Sequence, residues 1–84
     1  MDPLRVLAAL GERLPRDVAV LNARAIGDEW RIDGTATNAA AILPALDGDP
    51  RFADARFLAA TARYREGGKM YESFSLAFRA KPGS

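Results

Sequence analysis

Apolar residues recur every three or four positions at the start of the chain and every second position through much of the rest. Leu4, Leu7, Leu10 and Leu14 form a stripe with Val6 and Ala8 at its margins, which predicts an amphipathic helix over residues 2–14. Asp2 is its expected cap. Pro3 fits the first helical position, and Pro15 ends the run. Residues 18–25, "VAVLNARA", read as a strand with some apolar character on both sides, followed by a turn centred on Gly27-Asp28. Residues 29–36 alternate cleanly: Trp30, Ile32, Gly34 and Ala36 face one way, and Glu29, Arg31, Asp33 and Thr35 the other. Gly34 is expected to let a helix lie close over the sheet. Residues 38–47 read as a second helix with Thr37 or Asn38 as cap and Ala39, Ile42, Leu43 and Leu46 as its stripe. Pro44 conflicts with that helix, because an interior proline removes a backbone hydrogen bond.

Residues 55–63, "ARFLAATAR", read as a third strand, with "YREGGKM" as a hairpin loop around Gly67-Gly68. Residues 70–79 form the clearest strand, with Met70, Phe74, Leu76 and Phe78 on one face. "KPGS" reads as a frayed tail. The order αββαββ over residues 1–84 predicts one α+β domain, a two-layer plait with both helices on one face of a four-stranded antiparallel sheet. It corresponds to a circularly permuted ferredoxin-like plait with strand order 3-4-2-1. The two cleanest alternations then fall in the centre, and the doubly apolar strands fall at the edges, where they are open to another chain.

Composition narrows the chemistry. The chain has 84 residues, 49% hydrophobic and 27% charged, as expected of a folded domain. A formal charge of +1 gives no global field for nucleic acid or an anionic membrane. There is neither Cys nor His, so disulfides, thiolate metal sites and the commonest general base are excluded together. No apolar run approaches the ~20 residues of a membrane span.

No catalytic, cofactor-binding or metal site is expected. Ser73, Ser75, Thr35 and Thr37 have no histidine to activate them, and Lys69 and Lys81 lie in a loop and a tail. Glu29, Arg31 and Asp33 read as a solvated strand face, and Asp47, Asp49 and Asp54 have no reason to converge. "DGDPRFAD" lacks the spacing and closing glutamate of a calcium loop, and "REGGK" matches no phosphate-gripping pattern. By parity, Trp30, Phe74 and Phe78 point at the helices and leave Tyr71 as the one open-face aromatic, so RNA binding by stacked bases is not expected.

Five stretches carry a resemblance: "ERLPRDVAVL", "WRIDGTA", "NAAAILPAL", "DGDPRFADARF" and "YESFSLAF". Together they resemble the periplasmic domain of the PilN/GspL family, assembly proteins of type IV pili and type II secretion systems in the bacterial inner membrane. The resemblance spans most of residues 4–79, and "DGDPRF" leans towards PilN. It implies a non-catalytic ferredoxin-like module without cofactors. Such a module forms homodimers or pairs with a similarly folded PilO/GspM-like partner, and a transmembrane helix absent from this chain tethers it. On that basis association is expected through strand 1 (Val18, Val20, Asn22), strand 3 (Leu58, Ala60, Ala62) and the exposed side of helix 1 (Arg5, Glu12). A small-molecule-sensing regulatory domain is the alternative, and it would need a polar pocket at a dimer seam.

Overall fold

The computed structural model describes residues 3–80. Two short helices and five antiparallel strands follow the order α1 (Pro3–Arg13), β1 (Ala19–Ile26), β2 (Glu29–Ala36), α2 (Ile42–Leu46), β3 (Phe52–Phe57), β4 (Ala62–Glu66) and β5 (Lys69–Ala80). A 3-10 turn, Ala39–Ala41, leads into α2. The sheet order is β1-β2-β5-β3, and β4 also pairs with β5. Residues Asp2 and 81–84, expected as cap and tail, lie outside the described residues.

The core is one cluster in which Val6, Ala9 and Leu10 of α1 and Ala39, Ile42 and Leu46 of the second helical segment meet Trp30, Ile32, Phe52, Phe74, Leu76 and Phe78 from the strands. Both helices therefore share one face of the sheet. Alternation on β2 places every second residue in this core. Phe78 packs edge-to-face on Phe52 at 5.1 Å between ring centroids, and Phe57 lies 6.4 Å from Phe74.

Three expectations need correction. The first is the strand expected over 55–63, which is two strands. β3 begins earlier, at Phe52, and its register with β5 shifts between Ala53 and Arg56, where Asp54 adopts φ 56°. The chain then leaves the ladder over residues 58–61, although the Leu58 N–H still donates to Ser75 O at 2.8 Å. It returns as β4, so only Gly67-Gly68 remains of the expected loop. Both glycines have positive φ, 58° and 81°, as a type I′ hairpin turn requires. β5 runs for twelve residues, about 40 Å at ~3.4 Å each, and gives the molecule its 44 Å length. Met70, expected in the apolar face, stands 47% exposed on this projecting hairpin.

The second correction concerns helix 2. Residues 38–47 are not one helix but the 3-10 turn followed by the five residues of α2. Pro44 is the third residue of α2, where no intrahelical partner is needed for its missing N–H, so the conflict disappears. The expected caps are also replaced. Asn38 makes no side-chain cap bond, and the Ala39 N–H donates to Glu72 Oε1 of β5 at 2.8 Å. Thr37 donates its backbone N–H to Asp17 Oδ2 at 2.8 Å, and its hydroxyl to the same oxygen.

The third is Gly34. A Cβ there would lie 2.3 Å from Ala19 O and 2.9 Å from Phe74 Cζ. The close approach comes from β1 main chain and a core ring, not from a helix.

Candidate interaction surfaces

The open sheet face is a lattice of charge. Glu29 is held by Arg56 and by Arg31 Nε at 3.2 Å, and these partners, Arg56 first, lower its pKa below the ordinary carboxylate value. Ser75 Oγ donates to Asp33 Oδ1 at 2.7 Å. Arg31 and Arg56 both lie opposite Ala77, which is fully buried although its parity places it on this face. Arginine stems on both flanking strands are long enough to cover so small a residue. Tyr64, which the sequence reading had left in a loop, stacks on Tyr71 at 5.7 Å.

Asp49 is the buried charged residue among those described, and it organises the "DPRF" turn. It accepts the Arg51 backbone N–H at 3.0 Å, Arg51 Nη2 at 2.9 Å and Arg13 Nε at 2.8 Å. Arg51 also lies 3.6 Å from Glu12 and 5.7 Å from the centre of the Phe52 ring. One carboxylate thus fastens the end of α1 to the entrance of β3. Arg51, and secondarily Arg13, hold its pKa far below its ordinary 3.8.

A carboxylate whose folded pKa is depressed stabilises the fold fully above its unfolded pKa and loses that contribution as pH falls below it. Asp49→Asn should therefore lower the melting temperature at pH 7 by on the order of 5 °C. The gap from wild type should narrow below about pH 3.8, its ordinary value. Thermal melts from pH 7 to 2 check this, and a gap independent of pH would refute it.

The apolar surface is concentrated beside α1 and β1. Leu4, Leu7 and Leu21 are 75%, 37% and 72% exposed. A groove of about 440 Å³ runs between the two elements, lined by Leu7, Gly11, Leu14, Pro15, Val18 and Val20. A second hollow, about 450 Å³, lies between α2 and β3 around Leu43, Pro44 and Phe52.

The eight residues expected to mediate association do not form one surface. Val18 precedes β1 and packs against the core, and Val20 lines the groove. Asn22, opposite Asp33, turns to the other sheet face. Leu58 and Ala60 lie in the break between β3 and β4 rather than in a strand, and Ala62 opens β4. Arg5 is exposed on α1, whereas Glu12 faces Arg51.

Leu4 and Leu7 belong to the apolar stripe expected of helix 1. Val6, Ala9 and Leu10 fill the core, which leaves Leu4 and Leu7 on the flank. The signal was a stripe too broad for one buried face of so short a helix.

Among the described residues no three His, Cys, Asp or Glu side chains could hold a metal ion, and no helix is long and apolar enough to cross a membrane. Comparison with curated proteins and with solved structures finds no match. The model of one protein family, described as fimbrial assembly protein (PilN), matches residues 5–80. With nearly all of its length covered by that match, the chain belongs to the PilN family of fimbrial assembly proteins.

Proposed function

We propose that this chain is a non-catalytic assembly module of a type IV pilus or related secretion platform. It works by pairing with a second copy and with a similarly folded PilO/GspM-like protein. In this reading the sheet and its two helices make a permuted ferredoxin-like plait, with β3 and β4 together taking the place of one strand. The module sits in the periplasm, tethered to the inner membrane by a helix outside this chain. Family membership supports assembly, and the exposed apolar flank of α1 and β1 carries the proposal. Leu7 and Val20 line the groove, and Leu4 and Leu21 are exposed on the same two elements; exposed apolar surface of this kind marks a protein interface.

Association through this flank uses side-chain faces more than the β1 edge. The β1 register shifts between Val20 and Asn22, and a bulge at an edge twists it away from pairing. Of the residues expected to mediate association, Val20 and Arg5 belong to this flank, whereas Leu58, Ala60 and Ala62 lie at the opposite margin of the sheet and Asn22 on its other face.

Light scattering on the eluting chain tests the proposal, alone and mixed with a PilO-type periplasmic domain. Leu7→Glu and Leu21→Glu should weaken association at least tenfold and leave the circular dichroism spectrum unchanged. A wild-type chain that stays monomeric at high micromolar concentration and also ignores the partner would sink the idea.

A further inference from the structure

The β4–β5 hairpin carries a free strand edge, and we propose that this edge docks an extended segment of another protein bearing carboxylates at alternate positions. β4 pairs with β5 alone, so every second residue of it turns N–H and C=O outwards. Its ladder runs through five consecutive partners without a shift, from Ala62↔Ser73 to Glu66↔Lys69. β1 and β3 are both interrupted by a register shift. Among the described residues, β4 is the outer strand with an unbroken register, the condition for adding a strand by main-chain hydrogen bonds.

The side chains select the occupant. Arg63 and Arg65 lie two apart, share one face and are exposed beyond the helices. Arg63 lies 3.5 Å from Glu72, which is already engaged by the Ala39 N–H, and Arg65 has no ion-pair partner among the described residues. An antiparallel strand laid on this edge brings its own side chains level with both arginines. Glutamate or aspartate at i and i+2 matches them, and the opposite face of the added strand meets Tyr64, backed by Tyr71.

A second copy fits badly. Two-fold pairing of β4 strands keeps their faces in common, so a register centred on Tyr64 sets each Arg63 against the other copy's Arg65. Like charges directly opposite are destabilising. The arginines thus deny the edge to self-association and admit an acidic strand. This surface is separate from the α1–β1 groove, and Leu7→Glu leaves it intact.

The test is fluorescence anisotropy of the 84-residue chain with a labelled eight-residue peptide alternating glutamate and threonine, beside a lysine–threonine peptide. The glutamate peptide should bind, weaken with added salt and lose at least tenfold in affinity against R63E/R65E. The lysine peptide should bind that variant in its place, a reversal that a merely destabilised protein would not give. New amide-exchange protection should be confined to β4. Absence of binding, equal binding by both peptides, or protection along β1 instead would overturn the proposal.

Discussion

Phe78→Ala should bring the domain close to unfolding at 37 °C. Phe78 is fully buried on the central strand β5, lies opposite Trp30 in register and packs edge-to-face on Phe52. Truncating such a ring removes its transfer free energy and leaves a cavity that neighbouring strands cannot close, at a cost of about 3–5 kcal/mol. A chain of this size has roughly 4–12 kcal/mol of stability in all. The melting temperature should fall by about 15–30 °C, since each kcal/mol moves a small domain by several degrees. Phe52→Ala should cost less in the Phe78→Ala background than in wild type, because the two rings share one contact. Thermal melts of the four proteins decide it. A drop below 5 °C for Phe78→Ala would mean that the core is not built around this pair.

Gly34→Ala should destabilise by about 1–3 kcal/mol although it adds a single methyl. The new Cβ would lie 2.3 Å from Ala19 O and 2.9 Å from the tip of the Phe74 ring. The ring can swing aside, but the carbonyl belongs to β1, so the edge strand itself has to move. Phe74→Leu should therefore fail to rescue the variant. Gly11→Ala supplies the contrast, since nothing lies within 4 Å of its added Cβ and it sits inside α1. That change should stabilise the domain by about 0.5–1 kcal/mol. Denaturant melts that rank the two substitutions in the opposite order would refute both arguments.

Legibility in the sequence followed how far each residue's environment is set by near neighbours. β2 was read to its ends because its alternation reports one buried and one charged face. β5 was read to within a residue at each end for the same reason. The β3–β4 region was not, because its alanines carry no contrast, and the register shift inside β3 falls where Asp54 adopts a left-handed backbone. The cap of the second helical segment was invisible because Glu72 comes from a strand 33 residues away. Glu72 shares its parity with Phe74, Leu76 and Phe78 on the apolar face of β5, and that parity is what aims it at the helix. Asp49 was dismissed as one carboxylate of a turn, yet "DPRF" sets an aspartate two residues before the arginine that grips it. The surface leucines were misassigned because periodicity fixes a helix's apolar side but not how much of that side a small sheet can cover.

The register shift in β1 has a consequence for the size of any complex this domain enters. A ribbon grows only when each added unit offers a straight edge at both ends, and here Leu21 interrupts the β1 margin while the β4 edge opposite runs unbroken. A subunit with one straight edge can accept a strand there, but it cannot propagate into a polymer by edge pairing. A member of a fimbrial assembly family is thereby kept from growing into a fibre itself.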